Sequence, residues 1–153
     1  MKIQTQLTVR ERFHNPWVYE DRDQKVKVLL VDDHQLMHGV LKKIVNAEND
    51  LTVIAEAFDG EEAIKLAQET SPDIIIMDVN MPRKNGIEAT KEIMSRMPSL
   101  RIIGLSLHDH EDVIKSMLTA GASAYLTKDQ AFKTLCSTIR REAKLMRSSG
   151  VQL

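Results

Sequence analysis

Between Val26 and Met146 the chain repeats one pattern five times: a short apolar run, a polar residue, then an amphipathic stretch of helical period. The apolar runs are Val26 to Val31, Leu51 to Ala57, Asp73 to Met77, Arg101 to Leu105 and Ala122 to Leu126. They are short and rich in β-branched residues, as strands buried on both faces must be. The first intervening helix, capped by Asp32 or Asp33, is expected to bury Leu36, Met37, Val40, Leu41, Ile44 and Val45. The second opens on Asp59-Gly60-Glu61-Glu62, which resembles a capping box, and buries Ala63, Ile64 and Ala67. The third runs from about Gly86 to Met97 and ends before Pro98; the fourth runs from about Glu111 to Thr119 and stops at Gly121. The last starts near Ala131 and buries Phe132, Leu135, Ile139, Ala143 and Met146. Strands alternating with helices through short loops predict an α/β fold: a doubly wound, five-stranded parallel sheet with helices on both faces.

Charge and cysteine content exclude several classes. Lys and Arg number 21 against 22 Asp and Glu, which speaks against a dedicated polyanion binder. The single cysteine, Cys136, forbids a disulfide framework and reads as a small packing residue in a reducing compartment. No apolar run is long enough for a membrane span or a signal peptide, so the expectation is a cytoplasmic domain. Residues 1–25 lack periodicity, are broken by Asn15-Pro16, and read as an arm or linker with Phe13, Trp17 and Tyr19 as its apolar points. Residues 148–153 read as a tail. The last helix carries a basic excess, including Lys133, Arg140, Arg141 and Lys144, over an otherwise acidic body.

In a doubly wound sheet, ligands bind beyond the carboxyl ends of the strands. The first strand ends in Asp32-Asp33, the third in Asp78, the fourth in Ser106, and the fifth leads to Lys128. Singly, these are ordinary residues: an aspartate after a strand is a helix cap or a turn residue. Together they place three carboxylates beside one hydroxyl and one ammonium. Such a cluster needs a cation, and an all-oxygen site with open positions suits Mg²⁺. A phosphoryl group would satisfy the cation, Lys128 and Ser106 at once, and a carboxylate in line with it can act as nucleophile. His34, His38, His108 and His110 fall on different elements without a shared ligand spacing, so no zinc or iron site is expected.

The strings VLLVDDHQLM, IIIMDVNMPRKNGIEAT, IIGLSLHDHEDV and AGASAYLTKD carry a specific resemblance. From Val26 to about residue 147 the chain resembles the receiver domain of bacterial two-component response regulators, in their NarL/FixJ-like branch. The resemblance implies a flavodoxin-like strand order of 2-1-3-4-5. It also implies that Asp78 accepts the phosphoryl group, and that Mg²⁺ is held by Asp33, Asp78 and the backbone carbonyl of Asn80. Asp32 would act on the ion through water. Lys128 and Ser106 would hold the phosphoryl oxygens, and Tyr125 would be the switch aromatic that turns inward as Ser106 moves. Met81-Pro82 and Gly86 would shape the neighbouring loop, Gly86 through a conformation that a side chain penalises.

The implied partner is a histidine kinase, with a homodimer left open. The implied role is a switch rather than an enzyme, limited to Mg²⁺-dependent self-phosphorylation and self-dephosphorylation. Two contexts stand beside a lone receiver: part of a truncated DNA-binding transcriptional regulator, and part of a hybrid histidine kinase. A Mg²⁺-dependent aspartyl phosphatase is disfavoured because its general acid, two residues after the nucleophile, is here Asn80. No DNA-recognition helix follows the last helix, so no DNA binding is expected from this chain alone, nor any membrane association.

Overall fold

The computed structural model describes residues 25–149. Five strands, β1 (Val26–Val31), β2 (Leu51–Ala57), β3 (Ile74–Asp78), β4 (Arg101–Ser106) and β5 (Ala124–Thr127), form one sheet in the order β2-β1-β3-β4-β5. Every neighbouring pair is parallel. The helices are α1 (Gln35–Asn46), α2 (Gly60–Thr70), α3 (Gly86–Arg96), α4 (Glu111–Ala120) and α5 (Lys128–Ser149).

Strand periodicity divides the apolar runs between two cores. Val28, Leu30, Ile74, Ile76, Ile103 and Leu105 face α1 and α5, meeting Leu41, Val45, Leu135 and Ile139. Leu29, Val31, Ile75, Met77 and Ile102 face α2, α3 and α4, meeting Ala63, Ala67, Ala89, Ile93 and Met117. β1 after Lys27, β3, and β4 after Arg101 are therefore buried at consecutive positions, with no solvent face to alternate with, while the edge strands β2 and β5 are only partly buried. The expected cap of α2 forms: Asp59 accepts the Glu62 N–H at 2.8 Å. Glu62 in turn accepts from the Phe58 N–H at 2.9 Å, one residue before the cap.

Several expected positions differ. The N-cap of α1 is His34, not Asp32 or Asp33, and no side chain caps the helix; Asp32 Oδ1 instead accepts the His34 N–H at 2.8 Å, ahead of it. The stripe that α1 buries is His38, Leu41 and Val45, spaced three and four residues apart. Leu36 lies two residues from His38, on the far side of the helix, and is 84% exposed. Phe132 is likewise 47% exposed, since the inward stripe of α5 runs through Ala131, Leu135 and Ile139. That helix begins at Lys128 rather than near Ala131, and follows β5 without a loop. Arg140 is not part of a free basic face. Its Nε donates to Asp50 Oδ2 at 2.8 Å and its Nη2 to Asp50 Oδ1 at 2.9 Å and to Glu48. This fork holds the Asp50 carboxyl below its ordinary range. The expected arm falls on residues 1–24 beyond the described span apart from Lys25, and most of the expected tail also lies outside it.

Candidate functional site

The parallel order brings the ends of β1, β3, β4 and β5 to one edge of the sheet. Asp78 closes β3 opposite Leu105, and Ser106 is the next residue of β4. Lys128 is the first residue of α5, one position past Thr127, which pairs with Ser106. Asp32, Asp78, Ser106 and Lys128 are all buried. Asp33 is the more open member of the acidic pair.

The Lys128 ammonium stands 2.9 Å from Asp32 Oδ2 and 3.5 Å from Asp78 Oδ2. The approach is that of ion pairs, yet neither oxygen has a hydrogen-bond partner, and Asp33 Oδ1 is in the same condition. Asp78 Oδ1 accepts only the Asn80 N–H, at 3.3 Å. One cation thus faces three carboxyl groups. Burial, followed by the charge of Asp32, pushes the Asp78 carboxyl up to about 7; Lys128 and the Asn80 N–H oppose the rise. Buried oxygens left without partners and a shortage of positive charge fit a divalent cation.

Removing the buried cation of this pocket has a calculable direction. Lys128→Met should destabilise the metal-free protein by about 3–5 kcal/mol, because it strands two buried carboxylates. Urea unfolding with a chelator present should show it, and Mg²⁺ should recover part of the loss. A variant as stable as the parent would mean that the ammonium does not neutralise this pocket.

Gly86 shapes the loop for a reason other than the expected one. Among the described residues the glycine with a left-handed φ is Gly121, after α4, while Gly86 is needed for close approach. A Cβ there would lie 2.1 Å from the Asp78 carbonyl oxygen, and the Gly86 N–H donates to Val79 O at 2.9 Å. The left-handed residue of this loop is Arg83, with φ 65°.

Ser106 and Tyr125 meet through one peptide segment. Ser106 Oγ accepts the His108 N–H at 3.3 Å, and the Tyr125 hydroxyl donates to His108 O at 2.8 Å. The histidines separate as expected, with one exception. His108 and His110 face one another at 5.3 Å between ring centres. His38 lies under α1, where its Nε2–H donates to Ala57 O at 2.9 Å and its ring stacks on Phe58. His34 joins the acidic cluster, with Nδ1 3.2 Å from Asp32 Oδ1 and 3.0 Å from Asp33 Oδ1. Its signal in the sequence was only its place directly after the acidic pair.

These features define a class of proteins that gather carboxylates and one ammonium at the carboxyl edge of a doubly wound sheet, in a pocket suited to a divalent cation. The response regulator receiver domain family matches residues 28–140, and the chain belongs to it. These domains are the phosphorylation switches of two-component systems and are not classical enzymes; they generally bind Mg²⁺ at such a pocket. The chain is 43% identical over 120 residues to the transcriptional regulatory protein YxjL of Bacillus subtilis, covering 78% of this chain and 55% of that protein. It is 37% identical over 118 residues to DegU of Brevibacillus brevis, covering 77% and 50%. The chain spans about half the length of the curated relatives it matches. Among solved structures, the response regulator domain of Thermotoga maritima CheB is similar at TM-score 0.74 and 35% identity, covering 79% of this chain and 98% of that one. A NarL receiver domain from Mycobacterium tuberculosis gives 0.76 at 27% identity, covering 79% and 98%.

Proposed function

We propose that this chain accepts a phosphoryl group on Asp78 from the phosphohistidine of a kinase. The observation that carries the reading is the buried Asp78 carboxylate, with Oδ2 unpartnered beside Lys128 and the Asp32-Asp33 pair. Its oxygen attacks phosphorus, the P–N bond breaks, and the leaving imidazole keeps the electron pair. A Mg²⁺ ion, when bound, neutralises the charge that develops on the phosphoryl oxygens. Asp33, Asp78 and the Asn80 carbonyl are the groups we assign to holding it, with Asp32 acting through water. Lys128, already at the pocket, binds a phosphoryl oxygen.

Ser106 is then drawn toward the new acceptor, which gives up its hold on the His108 N–H. Because Tyr125 hydrogen-bonds the carbonyl of that same residue, its ring is released to turn inward. The shift is one of populations, so some activity without phosphate is expected. The faces of α4, β5 and α5 carry the change to a partner or to a second copy of the chain. We further propose a cytoplasmic setting; among the described residues no helix is long and apolar enough to cross a membrane. The named relatives are transcriptional regulators, which supports an output in transcription exerted through a DNA-binding partner or domain rather than by the receiver itself.

The test is incubation with a small phosphodonor, such as acetyl phosphate, in Mg²⁺. Mass spectrometry of the intact protein should show one added phosphoryl group, and a chelator should prevent it. Addition undiminished by the chelator, or no addition at all, would overturn the reading.

A further inference from the structure

The ring of His34 takes no part in capping α1, since no side-chain hydrogen bond reaches the helix from it. It turns back over the acidic pair. One donor atom from each of Asp32, Asp33, His34 and Asp78 lies within 4.8 Å of every other. Asp32 and Asp78 are buried; the Oδ2 of each lies beside the Lys128 ammonium without a hydrogen bond, and Asp33 Oδ1, which faces Nδ1, makes none either. Such oxygens distinguish this cluster from surface acids that happen to be neighbours.

The spacing at His34 bears on what the cluster holds. Adjacent ligands of an octahedral ion with bonds of about 2.1 Å stand about 3 Å apart. Nδ1 is 3.0 Å from Asp33 Oδ1 and 3.2 Å from Asp32 Oδ1. A hydrogen bond has a similar length, but Nδ1 carries at most one proton and faces two carboxyl oxygens. The bond that forms goes to Asp32, and Asp33 Oδ1 is left without a partner. A divalent ion can bind Nδ1 and Asp33 Oδ1 directly and reach Asp32 through water, whereas a proton on Nδ1 serves one of the two carboxyl groups.

We propose that His34 is a nitrogen ligand of the divalent-cation pocket, and that it tilts the pocket's preference from Mg²⁺ toward later first-row ions of borderline character such as Ni²⁺. The inference rests on the cation-site reading given above and adds a ligand to it. Carboxylates and water suit Mg²⁺, while imidazole strengthens binding of the later first-row ions far more than that of Mg²⁺. The exposed ring is accessible to solvent, so an incoming ion can meet nitrogen before it reaches the buried oxygens.

The experiment titrates Ni²⁺ and Mg²⁺ by calorimetry into the full chain without a histidine tag and into His34→Ala. The variant should lose about tenfold or more in Ni²⁺ affinity, while its Mg²⁺ affinity falls by less than about threefold. Pulsed electron paramagnetic resonance of the Mn²⁺-loaded protein should show coupling to nitrogen that is absent from His34→Ala. Asp33→Ala controls for Ni²⁺ held elsewhere, for instance by His108 and His110, because only binding at the acidic pocket depends on Asp33. Equal Ni²⁺ affinity in His34→Ala, equal loss of both ions, or no nitrogen coupling in the parent would overturn the nitrogen ligand while leaving the Mg²⁺ reading intact. Failure of the parent to bind either ion at this pocket would overturn both.

Discussion

Asparagine at position 78 should abolish phosphoryl uptake and, in metal-free solution, make the protein more stable. The amide has no carboxylate to attack phosphorus, so the loss should be complete rather than partial. The gain in stability follows from the raised pKa. In the folded protein the Asp78 carboxyl titrates at about 7, well above its unfolded value. The folded state therefore holds this proton more tightly. The group's contribution is fully present below about pH 4 and is lost as pH rises toward and through about 7. Above pH 7 the parent should be less stable than Asp78→Asn by up to about 4 kcal/mol, and the gap should close in acid. Mg²⁺ should reverse the order, since it stabilises the form that binds it more tightly. Urea midpoints across pH, with and without Mg²⁺, measure all three effects. A variant that is less stable than the parent in chelator at pH 8 would contradict the charge shortage described above.

A side chain at Gly86 should be the most damaging substitution near the pocket. The obstacle is the Cβ itself, 2.1 Å from the Asp78 carbonyl oxygen and 2.9 Å from Val79 Cα. Both are backbone atoms at the end of β3, where Asp78 enters the pocket, so neither can yield without moving Asp78. Gly86→Ala should therefore be nearly as harmful as Gly86→Val, each costing about 4 kcal/mol or more. Gly39, inside α1, supplies the contrast. Nothing lies within 4 Å of a Cβ there, and Gly39→Ala should stabilise by about 0.5–1 kcal/mol. Denaturant unfolding of the two alanine variants should give shifts of opposite sign. A tolerated alanine at 86 would show that the loop after β3 adapts freely.

The contrast between the two glycines shows where reading the sequence succeeds and where it stops. The strands were legible because residues apolar on both faces leave few alternatives, and strand order followed from the family resemblance. The pocket was legible because chain connectivity alone puts Asp32, Asp33, Asp78, Ser106 and Lys128 at strand ends. Rotational phase was not. Leu36 and Phe132 look like core residues until the helix is turned so that His38 and Ala131 face inward. Distance in space was not legible either. Arg140 reads as a free cation in sequence but is held by Asp50, 90 positions earlier in the chain. Gly86 was noticed for the wrong property, because a close approach between two segments leaves no mark on either one alone. His34 was set aside with the other histidines, since spacing rules compare ligands with one another and not with carboxylates next door.

The absence of a loop between β5 and α5 gives the pocket a mechanical connection to the opposite end of the molecule. Lys128 is at once the cation of the pocket and the first residue of a 22-residue helix. Twelve positions on, or about 18 Å along the axis, Arg140 clamps the same helix to the turn between α1 and β2. The helix is thus held at its head by the pocket, along one side by Ala131, Leu135, Ile139 and Ala143 in the core, and near its middle by an ion pair. Beyond the clamp it continues to Ser149. There Ala143 is still buried in the core and Glu142 lies 3.6 Å from Arg101 of β4, so the helix stays tied to the sheet past the clamp. A shift of Lys128 is therefore delivered to the α1–β2 turn by a packed helix, with no intervening loop to absorb it.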